Sequence, residues 1–548
     1  MALTEELKQK LGDGVTDRPE ERAQYKRDTS IFERMPSLVV YPKDADDVAT
    51  LVREVAAAKA RGEEVSVTAR SAGTDMSGGP LTRSVVAVFT KYMNAVEVGD
   101  DSAQVEPGCY YRDFEKATLA KGLLLPSYPA SKSIAAMGGI VNNNSGGERT
   151  LEYGKTENYV VSVDVVLSDG TKTTFSALGP DELLEKKELE GLEGEIYKTM
   201  SDLVLTNRKV IEAHRPKVSK NSAGYALWNV FDSERGTFNL AKLICGAQGT
   251  LALTTSMKLK LIRPQAYRAM LVIFLSDLTA LPEIVKRVLR SNPESFESYD
   301  DHTFSLAVKY LPQMLSQMGL VRATRLGLSF VPELLMAISG GVPKLVLMAE
   351  FSEDTAAEAL KKAHEAQEAL KDMNLPTSVK RNEAAAEKYW IVRRESFALL
   401  RKNLKGLYAA PFIDDFVVPP DSYPLFLPRL YKLLGEYDLI YTIAGHVGNG
   451  NFHIIPLMDL SKEGAHKVIL ELSPKVYDLV MEYGGSTTGE HNDGIIRTPY
   501  LSHMFGPDMM KLFEETKRIF DPLNIFNPGK KVGGTFADIE NDMIRSMS

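Results

Sequence analysis

The stretch Gly445 to His453, GHVGNGNFH, leaves the backbone few choices. Asn449-Gly450 favours a two-residue type I′ turn, because both central residues of that turn need positive φ and Asn and Gly tolerate it best. A turn centred there makes a β-hairpin with Gly448 opposite Asn451, Val447 opposite Phe452 and His446 opposite His453. Directly opposed residues on one hairpin face hold their Cβ atoms about 4.5–5.5 Å apart, which suits two imidazoles sharing one metal ion. Further along, Glu490-His491 supplies a carboxylate and a third imidazole. The chain has 8 histidines, and three of them sit in these two blocks.

At 548 residues the chain is too long for one ordinary core, so two or three domains are expected. A net charge of −8 gives no electrostatic case for nucleic-acid binding. The opening MALTEELKQKLG reads as a polar helix with no apolar signal region and no Arg-rich transit character. The expectation is a cytoplasmic protein, with peripheral contact on the inner face of the membrane as the second reading. Cys109 and Cys245 make neither a disulfide framework nor a thiolate-ligated cluster, so any iron–sulfur relay belongs to another polypeptide. No stretch reaches the roughly 18 uninterrupted apolar residues of a spanning helix. The nearest, Leu328 to Met348, is broken by Pro332, Glu333, Gly340-Gly341 and Pro343. It reads as a buried helix followed by a strand or, with its neighbour LPQMLSQMGLVRATRLG, as a membrane-surface patch.

Residues 1–34 read as a helix and an irregular arm. From Ser37 short apolar runs alternate with helical patterns: LVVYP, then ADDVATLVREVAAAKARG, then VSVTA and SVVAVFT. YVVSVDVVLSDGTKTTF reads as a hairpin turning at Asp169-Gly170, and FNLAKLICGAQGTLALTTSMKLKLI as two long strands. This α+β region runs over 35–264. Next, AYRAMLVIFLSD, the helix of LPEIVKRVLRS and ESFESYDD give β-α-β. PKLVLMAEFSED, an Ala/Glu/Lys-rich helix and TSVKRN repeat that order. Two such units imply a ferredoxin-like antiparallel sheet with helices on one face, in a second region over 265–500. The remainder, 501–548, reads as loops from FGPDMMKLFEETKRIFDPLNIFNPGKKV onward.

Three glycine-bearing blocks share the first region. RSAGTDMSGG follows a strand with small residues whose backbone N–H groups are free to wrap a pyrophosphate. It is neither a GxGxxG fingerprint opening a helix nor a Walker A loop. PASKSIAAMGGIVNNNSGGERTLEYGKT is a second such block, and the two suggest opposite walls around one extended polar ligand. CGAQGTLALTT places Gly246 and Gly249 just before a strand.

These three blocks, in this order and spacing, resemble the FAD-binding domain of the vanillyl-alcohol oxidase / p-cresol methylhydroxylase (PCMH) family. The C-terminal half is similar to the FAD-linked D-lactate dehydrogenase, D-2-hydroxyglutarate dehydrogenase and glycolate oxidase branch. The resemblance spans about Met35 to Val532 and implies a two-part PCMH-type FAD-binding domain plus a cap domain. It implies that Arg70, Ser71, Ala72, Gly73, Thr74, Asp75, Met76, Ser77, Gly78 and Gly79 cradle the pyrophosphate. Pro129, Ala130, Ser131, Gly138, Gly139, Asn144, Ser145 and Gly147 would line the flavin and ribityl chain, with Tyr153 and Gly154 close by. Gly249, Thr250, Leu253 and Asn527 complete the cofactor set, Leu253 near the adenine. Covalently flavinylated relatives often carry a histidine where this chain has Thr74, so non-covalent FAD is expected. The family's GSEGTLG reads GAQGTLA here.

Chemistry alone makes His446, His453 and Glu490 a His₂-carboxylate set with room for substrate oxygens, suited to Zn²⁺ or another divalent first-row metal. With the family in view, His491 becomes the candidate base, its unperturbed pKa of about 6.5 suiting proton removal near neutrality. Its alternatives are a fourth metal ligand or a hydrogen-bond donor to one of the ligands. In EKYWIVRRESFALLRK, Trp390, Arg393, Arg394 and Phe397 share one helical face. The family's WxxR pattern favours Arg393 as anchor for a substrate carboxylate. Asn451, on the His453 face, is a second substrate contact. The usual EHGxG block reads Glu490-His491-Asn492-Asp493-Gly494, and Arg497 keeps the basic position after it. Where 2-hydroxyglutarate enzymes carry a lysine, this chain has PFIDDFVVP, with no basic residue.

The expected activity is an FAD-dependent dehydrogenase oxidising a small D-2-hydroxy acid, D-lactate first. Electrons would pass to a cytochrome, an electron-transfer flavoprotein, a quinone or an iron–sulfur subunit. The alternatives are D-2-hydroxyglutarate or glycolate as substrate, with a separate iron–sulfur protein. A non-redox flavin alkyl transferase comes last, since its histidine-run signature is missing.

Overall fold

In the computed structural model the described residues are 2–301, 303, 343–403 and 406–545, with the backbone alone for 394–403. Three sheets organise them. The first has four strands in the order Val15–Thr16, Leu38–Val40, Val85–Val88, Val67–Arg70. Its last three are parallel and almost wholly buried, hence the continuous Val/Ala runs. The crossover helix Ala45–Ala60 starts where the Asp44 carboxylate accepts from the backbone N–H of Asp46 and Asp47. It buries Val48, Leu51, Val52 and Val55 at helical spacing.

The second sheet is antiparallel and seven-stranded. It contains the hairpin Val160–Val166 / Lys172–Leu178, whose turn is closed by Gly170 at φ 86°. The expectation of two long strands after residue 237 is corrected. Thr237–Asn239 is short, Ala241–Ile244 is a helical turn, and only Leu253–Lys260 is long. Gly246 and Gly249, at φ 89° and 64°, interrupt the extended run.

The third sheet confirms the ferredoxin-like expectation. Tyr267–Leu275, Ser295–Asp300, Leu345–Glu353 and Thr377–Lys380 are sheet strands one to four and lie in the order 4-1-3-2. The register puts Leu271, Ala349 and Phe296 in one row. These side chains share a core with helices Leu281–Leu289 and Ala356–Glu368. The opposite face carries Arg268, Glu350 and Glu297, and it is the functional one. The sheet continues beyond the ferredoxin-like core through Ile440–His446 and Asn451–Met458. From Leu328 to Met348, the described part begins at Pro343 and contains a strand from Leu345, as expected; the helix and the neighbouring patch lie outside the described residues.

The histidine hairpin forms, but with a different register. Val447–Asn449 is a 3-10 turn closed by Gly450 at φ 75°, so His446 pairs with Asn451 and Ala444 with His453. Tertiary contacts hold the turn out of the ladder. Tyr423 Oη donates to the Val447 carbonyl at 2.8 Å, and Ser219 Oγ to that of Asn449 at 2.6 Å. The slip is even, so His446 and His453 stay on the same face, as diagonal neighbours with ring centroids 5.2 Å apart. Gly450→Ala places a Cβ on the Val418 carbonyl and leaves alanine in the left-handed region. We expect a loss of about 1–2 kcal/mol from the backbone alone, read as a lowered unfolding midpoint. An unchanged midpoint would contradict this hairpin geometry.

The loops expected after residue 504 are also corrected. Leu501–Phe520 is a helix kinked at Gly506, φ 68°, which frees Pro507 from the preceding turn. Phe505, Met509, Phe513 and Phe520 join the core of the second sheet, an apolar stripe at helical spacing. Beyond it the Ile525 carbonyl accepts from Val67 N at 2.7 Å, tying the tail to the first sheet. No helix among the described residues is long and apolar enough to cross a membrane.

Candidate active site

The three glycine-bearing blocks meet. Ser71 Oγ donates to the Pro107 carbonyl at 3.0 Å, and Gly138 packs so closely there that a Cβ would come within 2.7 Å of Ser71 Oγ. The Asp75 carboxylate accepts from Gly79 N at 2.6 Å, Ser77 N at 3.3 Å and Asn143 Nδ2 at 3.1 Å, linking the first wall to the second. Gln248 joins the third block through Asn143 Oδ1 at 3.3 Å and Ser77 Oγ at 3.4 Å. Asn527 Nδ2 donates to the carbonyls of Gly79 and Gln248 at 3.0 and 2.8 Å. Gly73, Gly78, Asn144, Gly154 and Gly249 all have φ between 50° and 84°, where side chains are rarely tolerated. Ser71, Ala72, Thr74 and Met76 are half-buried along the rim, with Pro129, Ser131 and Tyr153; Ala130 and Gly139 are exposed. Ser145, Gly147, Thr250 and Leu253 are buried. The Arg70 guanidinium is turned toward the N-terminal arm, donating to the carbonyls of Tyr25 at 3.2 Å and Arg27 at 2.7 Å.

The second half-site faces these walls. His446 Nε2 lies 3.2 Å from Glu490 Oε1, His453 Nε2 lies 3.4 Å from it and His491 Nε2 3.9 Å. Each imidazole is oriented through its other nitrogen by a buried acid. Glu297 Oε1 is 2.6 Å from His446 Nδ1, Asp414 Oδ1 is 3.0 Å from His453 Nδ1, and Asp414 Oδ2 is 2.7 Å from His491 Nδ1. Three imidazole nitrogens thus converge on one carboxylate oxygen, each with a carboxylate behind its ring. These are donor types that could hold a divalent metal, each imidazole being oriented by a carboxylate behind it. Ligand atoms of Asp415, His453, Glu490 and His491 also lie within 4.8 Å of one another. Asp415, however, already accepts from Glu490 N at 3.0 Å, His491 N at 2.7 Å and Asn451 Nδ2 at 3.1 Å. Those bonds make Asp415 the clamp of the 488–491 loop, and His446 the better-placed donor. Asp415 itself sits at φ 69°, a costly conformation for a non-glycine residue and one typical of functional sites.

Electrostatics follow from burial and pairing. Burial pushes the Asp414 carboxyl up, but His491 and His453 outweigh it and hold it well below the ordinary carboxylate range. Burial opposes the charge on His453, and Asp414 and then Glu490 overcome it, pushing the imidazole up to about 10. Burial likewise raises the Glu490 carboxyl, while Lys220 and His446 bring it far below its usual range.

Arg393 lies on the helix Glu383–Asn403, its Nη2 3.2 Å from Glu297 Oε2 and its buried Nε without a hydrogen-bond partner among the described residues. The side chains of Arg394 and Phe397 lie outside the described residues. Arg497 is fully buried and donates to the carbonyls of Asn492 at 2.9 Å and Asp414 at 2.7 Å. Asn451 faces the histidines but spends its amide N–H groups on Asp415 and Phe416. Asp493 points away from the site onto Lys531, 2.9 Å distant.

The two half-sites touch. A Cβ on Gly146 would sit 3.0 Å from Glu490 Oε2, and Asn492 Nδ2 donates to the carbonyls of Asn143 and Gly246 at 3.2 and 2.9 Å. Sequence reasoning missed Asp414, Asp415, Glu297 and Lys220. The first two had a readable signal: paired acids inside the apolar run PFIDDFVVP are costly to bury unless partnered.

Residues 36–176 match an FAD binding domain, and residues 264–531 match the C-terminal domain of FAD linked oxidases. The chain is 28% identical to a D-2-hydroxyglutarate dehydrogenase of Pseudomonas putida over 92% of its own length and 49% of the relative's. It therefore spans about half the length of the D-2-hydroxyglutarate dehydrogenases it matches. It is 27% identical to a D-lactate dehydrogenase of Archaeoglobus fulgidus, covering 90% of this chain and 91% of that one. A 4-ethylphenol oxidase from Gulosibacter chungangensis shares the fold, with a TM-score of 0.68 at 16% identity over 98% of this chain and 97% of the other.

Proposed function

We propose that this chain, which belongs to the FAD-linked oxidases with a PCMH-type FAD-binding domain, is a dehydrogenase of a small D-2-hydroxy acid, with D-lactate the first substrate. The observation that carries the reading is the close approach of Gly146, on the glycine-rich wall, to Glu490, at the focus of the imidazoles, where an added Cβ would come within 3.0 Å of Oε2. A hydroxy acid held at Glu490 lies beside the wall where a flavin is bound. When bound, non-covalent FAD would supply the hydride acceptor, and a divalent metal, zinc first, would supply the Lewis acidity that acidifies the substrate hydroxyl. His446, His453 and Glu490 would hold that metal. Arg393 anchors the carboxylate with the N–H that has no other partner among the described residues. His491 takes the hydroxyl proton at Nε2, since its Nδ1 faces Asp414, which fixes the ring and balances the charge gained.

The relatives named D-2-hydroxyglutarate dehydrogenase favour a second reading, a dicarboxylic hydroxy acid, with glycolate as a third substrate. In each case the electrons pass on to an external acceptor, a cytochrome, quinone, electron-transfer flavoprotein or separate iron–sulfur protein. The test mixes the FAD-loaded protein anaerobically with D- and L-2-hydroxy acids and follows flavin bleaching. D-lactate is expected to bleach it fastest, a faster D-2-hydroxyglutarate reaction selects the second reading, and an unreduced flavin with every acid sinks both. Chelation of the metal is expected to stop the bleaching, and added Zn²⁺ or Mn²⁺ to restore it. Undiminished bleaching by metal-free protein would remove the metal from the mechanism.

A further inference from the structure

Lys220 has no part in the steps above, yet its side chain is completely buried at the centre of the site. Its Nζ lies 3.0 Å from Glu490 Oε2 and 3.4 Å from Asn451 Oδ1. The three imidazole nitrogens face the other oxygen, Oε1. Lys220 comes from the segment before Tyr225, a core residue of the glycine-rich half, whereas the histidine hairpin belongs to the cap sheet. Two further buried lysines hold the same loop. Lys155 Nζ donates to the Gly489 carbonyl at 2.7 Å, and Lys531 pairs with Asp493. Lys220 is the one whose ammonium reaches a side chain in the donor set.

We propose that Lys220 is a positioning residue that assigns the two Glu490 oxygens different tasks, capturing Oε2 so that Oε1 alone is presented to the metal. A carboxylate free to rotate offers either oxygen, or both, and holds the ion in several geometries. One restrained by a buried ammonium holds it in one geometry, which is what outer-shell partners do at other metal sites. The proximity of Asn451 Oδ1 fixes the ammonium in turn. The inference rests on the metal site proposed above.

The experiment titrates Zn²⁺ and Mn²⁺ into chelator-stripped, FAD-loaded protein, with the flavin spectrum and melting temperature as checks on folding. Lys220→Met keeps the apolar stem of the side chain and removes its ammonium donor; metal affinity is expected to fall about 10–100-fold. Lys220→Gln keeps an N–H donor without the charge, and its affinity is expected to stay within about threefold of the unaltered protein, because position rather than charge is the proposed role. A wild-type affinity in Lys220→Met overturns the inference, and so does a Lys220→Gln affinity as weak as that of Lys220→Met. If Lys220→Met does not fold, Lys220→Gln decides alone: near-wild-type affinity supports the inference and a loss beyond tenfold overturns it. An unaltered protein with no affinity for either ion overturns the metal reading, and this inference with it. Wild-type-like binding in Lys220→Met overturns this inference alone.

Discussion

Replacing Asp414 by alanine is expected to slow flavin reduction by substrate on the order of 10³-fold while the protein keeps its FAD. One carboxylate orients two imidazoles here, His453 at 3.0 Å and His491 at 2.7 Å. Losing the partner of a metal-ligating histidine typically costs about 10–100-fold. Losing the aim of a general base costs about 10²–10⁴-fold, part of which overlaps with the first effect. Both rings also lose their shared anchor, although their stacked centroids stay only 5.1 Å apart in the unaltered site. Stopped-flow reduction under anaerobic conditions gives the rate, and the flavin-to-protein absorbance ratio gives the FAD content. A rate within a few-fold of the unaltered protein would mean that the Asp414 contacts do not serve the reaction.

Lys531→Met is expected to be the most destabilising single change considered, by about 3–5 kcal/mol. The Lys531–Asp493 pair is 2.9 Å long and neither side chain is exposed. Lys531 also donates to the carbonyls of Ser222 and Gly224, and Asp493 accepts from Gly224 N. Removing the ammonium leaves a buried carboxylate without its counter-charge, which costs far more than the intact pair contributes. The shift of the urea midpoint measures it. Adding Asp493→Asn is expected to recover part of the loss, since the stranded charge is then gone. Equal midpoints for Lys531→Met and the unaltered protein would show that Asp493 finds another partner.

The Asp493 result bears on substrate as well as on stability. From the sequence, Asp493 either adds negative charge near an anion site or points away as a loop cap. In the structure that charge is neutralised by Lys531 and directed away, so Asn492-Asp493 shapes the loop instead of repelling the substrate.

How far the sequence reached depends on the range of the interactions involved. The ferredoxin-like sheet was legible because period-two apolar runs and Ala-rich helical spacing are local patterns. The helix Leu501–Phe520 was misread because Gly506-Pro507 is a strong local breaker signal, overridden by a stripe of Phe and Met that gains burial against the second sheet. The hairpin turn was misplaced for a related reason. Asn-Gly prefers the tight turn in isolation, but Tyr423 and Ser219 hold residues 447–449 in a larger one. The histidines remained on a common face because the slip was even.

Residue order alone was sufficient to identify the donor types, the glycine-rich walls and the family, because each of these is written in contiguous motifs. The partners of those motifs were decided only by tertiary folding. Asp414 behind two imidazoles, Glu297 between His446 and Arg393, and Lys220 on Glu490 each join segments remote in the chain. Each of these acids and the lysine is costly to bury alone and becomes tolerable only when the sheets bring its counterpart within hydrogen-bonding distance. That requirement acts between elements and leaves no periodic trace along the chain.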